Sequence, residues 1–211
     1  HDLRAPLVSI QGLSKLAIAE SQSEIDRKYF RLINDRVVRL DDFIRDIIEY
    51  SRNARTERKL ESFSLNPMIN EVIENLKYME GADRIAFSVC SSVEEVLTDK
   101  SRLKVVLSNI ISNAIKYHNL RQEDPTVQIT SSQFESTVCI SIKDNGIGIP
   151  EEAQQKIFDM FYRASDRAGG SGLGLYIVKE IVEKLEGSIT VNSVFGEGTT
   201  FEVRIPVQLQ G

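Results

Sequence analysis

Apolar residues recur every three or four positions over the first 52 residues or so, at Leu3, Leu7, Ile10, Leu13 and Ala17, then at Ile25, Tyr29, Ile33, Val37, Leu40, Ile44 and Ile47. That spacing lays one apolar stripe on each of two amphipathic helices. The interruption, Glu20-Ser-Gln-Ser-Glu24, is short and polar, which predicts that the helices fold back as an antiparallel hairpin. Two helices enclose no core by themselves. Pairing with a second copy into a four-helix bundle buries both stripes, so a homodimer is expected. The alternative is a hairpin that packs on the chain's own C-terminal part.

The run from Asn53 to Glu61 is charged and nearly free of apolar residues, which makes it a linker between units at 1–55 and 56–211. Beyond it the period changes. A helix is expected from Asn66-Pro67, with Asn as cap and Pro in the first turn, through Ile69, Val72, Ile73 and Leu76. Alternating residues then predict strands at Ile85, Phe87 and Val89, at Val127 and Ile129, at Val138, Ile140 and Ile142, and at Phe201, Val203 and Ile205. Helices are expected between them at about 100–118, 151–157 and 173–186, the last ending at Gly187. The fold class is therefore an α-helical hairpin, dimeric as a four-helix bundle, followed by an α/β two-layer sandwich.

Charge narrows the possible partners. With 26 basic and 31 acidic residues the chain carries a net charge of -5, whereas a surface that neutralises many phosphates needs a basic excess. Nucleic acid is not an expected partner. The two cysteines, Cys90 and Cys139, support neither a disulfide framework nor a zinc site, in keeping with a reducing cytoplasm. No apolar run approaches a membrane span and no signal-peptide pattern is present; the chain opens on His, so a longer protein is expected.

Three segments carry candidate chemistry. On the helix at 101–117, Leu103, Val106, Leu107, Ile110, Ile111 and Ala114 mark the buried stripe, while Asn109, Asn113 and Lys116 share one flank. Two amide oxygens and an ammonium in a row suit magnesium and a phosphate chain; the same row also fits a solvated polar edge. Asp144 ends a strand and is followed by Asn145-Gly-Ile-Gly148, where Gly146 and Gly148 let a base or sugar lie against backbone. Its carboxylate could accept a hydrogen bond from an amino group such as that of adenine, or close a local turn. Lastly, Gly170-Ser-Gly-Leu-Gly174 precedes an apolar helix, whose exposed N–H groups and dipole favour phosphate. Between these lies a segment that reads as a lid, based on Phe158 and Phe161 in the core, with Arg163 or Arg167 able to reach a terminal phosphate.

In order and separation these segments resemble the catalytic and dimerisation domains of two-component sensor histidine kinases, over essentially the whole chain. The stretch from Asn109 to Tyr117 resembles the family's N box, 144–149 its first glycine box, 158–163 its F box and 170–175 its second glycine box. The closing Gly196-Glu-Gly-Thr-Thr-Phe201 resembles its last hairpin. His1-Asp-Leu-Arg-Ala-Pro-Leu7 resembles the H box, which makes His1 the phosphoacceptor, with Asp2 fixing the imidazole tautomer and Pro6 bending the first helix.

The resemblance implies an ATP-dependent autophosphorylating kinase that passes its phosphoryl group from His1 to an aspartate of a response-regulator receiver domain. It implies ATP and Mg2+ held by Asn109, Asn113, Lys116, Tyr117, Asp144, Gly146, Gly148, Arg163, Gly170, Gly172, Leu173, Gly174 and Thr199, with Asn113 and Asn109 on the metal. It also implies a homodimer, an upstream sensor domain and a cytoplasmic catalytic region. Two positions depart from the family pattern. Ala5 stands where Thr, Ser or Asn commonly helps dephosphorylate the regulator, which puts strong phosphatase activity in doubt, and His118 reads as a tolerated surface change. A plain ATPase of the same fold, or a dimerising scaffold with a regulatory nucleotide pocket, are the competing readings; neither has a use for the H box.

Overall fold

In the computed structural model the described residues are 4–55, 57–119, 124–164 and 171–207. Helix α1 (Arg4–Glu20) and helix α2 (Glu24–Arg55) form the expected hairpin. Their connection is closed by local serine bonds: the Ser23 N–H donates to Ser21 Oγ at 3.2 Å, and Ser23 Oγ accepts the Asp26 N–H at 3.3 Å, capping α2. The Arg27 guanidinium donates to Ser21 O at 2.7 Å and pins the turn from the far side. Helix α2 continues to Arg55, into the run read from sequence as linker, because Arg, Asn and Ala tolerate helix once a long amphipathic stretch has nucleated it.

The rest is a second unit with its own core. Strand β1 (Glu61–Ser64) leads into α3 (Leu65–Leu76), then come β2 (Ala86–Ser91), β3 (Glu95–Thr98), α4 (Lys100–Lys116), β4 (Thr126–Phe134) and β5 (Thr137–Asp144). A short helix α5 (Glu151–Gln154), then α6 (Gly174–Lys184), β6 (Ser188–Val194) and β7 (Gly198–Pro206) complete it. Five strands form one sheet in the order β2-β4-β5-β7-β6; β2 and β4 are parallel and the other neighbours antiparallel. One face alternates inward, with Val138, Ile140 and Ile142 on β5 and Phe201, Val203 and Ile205 on β7 all buried. Leu65 and Ile69 of α3, Leu103, Leu107, Ile110 and Ile111 of α4, and Ile177 and Ile181 of α6 close the core from above. This is the expected two-layer sandwich. Strands β1 and β3 pair in a separate two-stranded sheet that the sequence did not announce, each being four residues long.

Several boundaries differ for physical reasons. Helix α3 is capped from Ser64, not Asn66; Asn66 lies inside the first turn with its Oδ1 buried, and Pro67 takes the tolerated first-turn place. Helix α5 stops after four residues, although bonds from the Lys156 and Ile157 N–H groups to Ala153 O continue its path in turns. Helix α6 ends in a Schellman motif: the Glu186 N–H bonds Glu183 O and the Gly187 N–H bonds Val182 O, both at 2.9 Å. The left-handed residue there is Glu186, at φ 61°, and not the glycine. His118, expected at the surface, is half-buried beside Gly81, with Nδ1 2.6 Å from Ile115 O. Among the described residues no helix is long and apolar enough to cross a membrane.

Candidate functional site

Asp144 closes strand β5 directly opposite Thr199 on β7. Its Oδ1 accepts the Gly146 N–H at 2.8 Å, so the first residues of the turn wrap around the carboxylate. Burial pushes its pKa up to about 6, although backbone N–H groups of Gly146 and Thr199 pull the other way. An ionised carboxylate kept at neutral pH despite that cost of about 3 kcal/mol is poised to accept a hydrogen bond from a ligand.

The turn around it is held from two sides. The Ile147 N–H donates to Tyr117 O at 3.0 Å, tying the turn to the end of α4, and Ile147 O accepts the Gly196 N–H at 2.8 Å. Gly148 sits at φ 68°, and a Cβ there would lie 2.1 Å from Val194 O, so only glycine lets the turn meet the β6–β7 hairpin. Ser193 joins the pieces. Its hydroxyl accepts the Ile149 N–H at 2.8 Å and donates to Gly198 O at 2.8 Å, which leaves the Thr199 hydroxyl, 2.9 Å away, to donate to Ser193. Gln154 Nε2 adds bonds to Ser193 O at 2.7 Å and Ile149 O at 3.2 Å. Neither Ser193 nor Gln154 was legible as a site residue, since each acts by holding backbone.

Helix α4 supplies the second wall. Asn109 donates its amide N–H to Val105 O at 3.0 Å, which turns Oδ1 toward the start of α6; a Cβ on Gly174 would lie 2.8 Å from that oxygen. The amide oxygen therefore lies against the start of α6, the end at which a helix has N–H groups without intrahelical acceptors. Asn113 is half-buried one turn on, and Lys116 is exposed in the last turn. Tyr117 follows, half-buried; burial raises its phenol pKa while the nearby Arg163 charge opposes the rise.

The sequence-named residues thus fall into linked groups: Asp144 with Gly146 and Thr199, Asn109 with Gly174, and Tyr117 with both Arg163 and the Ile147 turn. Leu173 differs from them. Its side chain is buried in the core and its N–H bonds Ser171 Oγ at 3.0 Å, so it fixes the entry to α6 from beneath. His1, Asp2, Gly170 and Arg167 lie outside the described residues.

Residues 98–209 match the family model described as histidine kinase-, DNA gyrase B-, and HSP90-like ATPase, and residues 1–55 match the histidine kinase A phospho-acceptor domain. The chain belongs to this family. With the phospho-acceptor domain in front of the ATPase-type domain, it is the catalytic core of a two-component histidine kinase. It is 28% identical over its whole length to the sensor histidine kinase AtsR of Burkholderia thailandensis, covering 36% of that protein. It is 30% identical over 97% of its length to the aerobic respiration control sensor protein ArcB of Escherichia coli, covering 27% of it. The kinase core thus spans about a third of these relatives. Full-length ShkA in complex with AMPPNP superposes with a TM-score of 0.73 at 25% identity, over 100% of this chain and 45% of that one. Histidine kinase ThkA in complex with response regulator protein TrrA gives 0.68 at 27%, over 99% and 59%.

The kinase core departs from expectation at the lid base. Phe158 packs on the core, edge-on to Phe201 at 6.4 Å, as expected. Phe161 does not: it is 52% exposed, sits at φ 66°, and lays its ring 5.8 Å from Phe43 of α2. The bond from its N–H to Gly172 O, 3.1 Å, holds it in that uncommon conformation. Phe43 is the contact the sequence could not name, because its position on the α2 stripe reads simply as helix.

Proposed function

We propose that this chain binds magnesium ATP at the Asp144 site and autophosphorylates on His1, then passes the phosphoryl group to an aspartate of a response-regulator receiver domain. The observation that carries the reading is the buried, hydrogen-bonded carboxylate of Asp144 opposite Thr199, set against a glycine-lined turn in a chain that also holds a phospho-acceptor domain. Asp144 accepts the adenine amino group, with Thr199 beside it and the backbone of Gly146 and Gly148 against the base. Gly170, Gly172 and Gly174, with the start of α6, face the phosphates, and Lys116 and Arg163 supply positive charge to them. Asn109 and Asn113 fit a hard cation, as neutral amide oxygens beside a nucleotide that brings its own anionic ones, and they would hold Mg2+. When bound, the ion neutralises charge on the phosphate oxygens.

His1 attacks the γ-phosphorus through a neutral ring nitrogen, an N–P bond forms, the bond to the β–γ bridging oxygen breaks, and ADP leaves. Asp2 accepts the proton on the other ring nitrogen and stabilises the charge that develops there. The apolar face left exposed on the hairpin, including Leu13, Leu16, Ile25 and Tyr29, supports a homodimer through residues 1–55, with 56–211 as the ATP-binding unit. The swing of that unit toward His1 breaks the contact between Phe43 and Phe161. A cytoplasmic catalytic region joined to an upstream sensor domain completes the reading. The test is a chase: chain labelled from γ-labelled ATP is mixed with a receiver domain. Label leaving the kinase for a base-labile acyl phosphate is expected, and release of free phosphate with no labelled kinase at any time would overturn it.

A further inference from the structure

Asp99 lies just ahead of α4 and is 3% exposed, yet it is not part of the nucleotide site. One of its oxygens, Oδ1, caps α4 by accepting the Arg102 N–H at 3.0 Å and the Ser101 hydroxyl at 2.8 Å. The other, Oδ2, accepts the Lys59 N–H at 3.1 Å and stands 3.6 Å from the buried Arg102 guanidinium. Lys59 belongs to the segment that leaves α2. Its neighbour Arg58 pairs with Glu186 at 3.6 Å, just beyond the end of α6, and β1 zips onto β3 from Glu61 onward. The segment after the hairpin is thus fastened to the start of α4 and the end of α6. The middle of α4 meets the start of α6 at Asn109 and Gly174, about 15 Å along the axis of α4 from Asp99.

We propose that Asp99 is a positioning residue for phosphoryl transfer: by holding the Lys59 N–H it leaves only three residues of chain between the end of α2 at Arg55 and the first residue anchored through its backbone, and so sets how the ATP-binding unit is presented to the hairpin. Three residues span at most about 11 Å, and release as far as Glu61 lengthens the tether to five, about 18 Å. A longer tether widens the range of orientations from which the γ-phosphate must find His1. The inference rests on the phosphotransfer reading above.

Two variants separate this role from folding. Asp99→Asn keeps an oxygen for the α4 cap but sets an NH2 group against the Lys59 N–H. Lys59→Pro removes that N–H and leaves the contact between Asp99 and Arg102 untouched. Three quantities are measured: ATP affinity, the rate of His1 labelling at saturating magnesium ATP, and hydrogen exchange of amides 57–64. In both variants affinity stays within about twofold and labelling slows about tenfold; the Lys59 amide loses its exchange protection in Asp99→Asn, while the β1 amides 61–64 keep theirs in both. The proposal is overturned if labelling keeps its rate in Lys59→Pro, if the Lys59 amide stays protected in Asp99→Asn, or if affinity falls in step with rate in both. A wild-type chain that labels no histidine would instead overturn the phosphotransfer reading; exchange alone would then decide whether the Lys59 N–H is held, and the role in transfer would fall with that reading.

Discussion

In the hairpin, Leu13 and Ile25 are each 67% exposed, whereas in the α/β unit Ile140 and Ile181 are exposed by no more than 1%. All four belong to regular apolar patterns. The pattern therefore says which face of an element is apolar but not what covers it. In the α/β unit the cover comes from α3, α4 and α6 of the same chain. Among the described residues of the hairpin, Leu7, Val37 and Ser14 are buried, Phe43 packs against the α/β unit, and Leu13, Leu16, Ile25 and Tyr29 stay exposed. One region encloses its own core; the other leaves an apolar face uncovered, and belongs to the phospho-acceptor domain.

The contrast is broken most sharply by truncating one residue in each region. Ile140→Ala should cost about 4 kcal/mol of stability, read as a lower melting temperature. Leu13→Ala should cost less than about 1 kcal/mol in dilute solution and act instead on self-association, seen by sedimentation. Equal melting losses would remove the distinction. Next comes the carboxylate. Asp144→Ala should weaken ATP binding about 30- to 100-fold, the equivalent of roughly 2–3 kcal/mol for a charged hydrogen bond, measured by titration calorimetry. Asp144→Asn should raise the melting temperature of the ligand-free chain at pH 7, because it removes a buried charge.

Proton linkage sharpens the same point. The folded pKa of Asp144, about 6, lies above its ordinary value of 3.8, so its ionisation costs the fold most above pH 6, and that cost is relieved as pH falls toward 3.8. A ligand amino group favours the carboxylate. Adenosine, which has no phosphate to titrate, should therefore bind with constant affinity above about pH 7 and more weakly as pH falls through 6, while Asp144→Asn should show no such dependence. The smallest effect joins the two regions. A double-mutant cycle of Phe43→Ala and Phe161→Ala should give a coupling of about 1 kcal/mol, and no coupling would mean that the ring contact contributes nothing to how they dock.

What was legible in the sequence follows the same division. Helix and strand periods located both helices of the hairpin and the strands β2, β4, β5 and β7, because burial on one face imposes a period; the edge strand β6, with no buried residue, was not read as a strand. Strands β1 and β3, four residues each, carry no period. The site was legible where chemistry forces a residue type: Asp144 before its glycines, Asn109 facing Gly174. It was not legible where side chains hold backbone from a distance in sequence, as Ser193 holds Ile149 and Asp99 holds Lys59. Phe161 was assigned to the core because it is aromatic and close to Phe158. Its positive φ and its contact with Phe43 come from the packing of two units, which no local pattern encodes.

The central claim is that His1 accepts phosphate from ATP bound at the Asp144 site. The most direct test is incorporation of γ-labelled phosphate from magnesium ATP into the chain, with the acid and base stability of the label and a His1→Ala control. An acid-labile, base-stable label that disappears in His1→Ala is the predicted result. Equal release of phosphate to solvent by the wild type and His1→Ala, with no labelled protein, would contradict it.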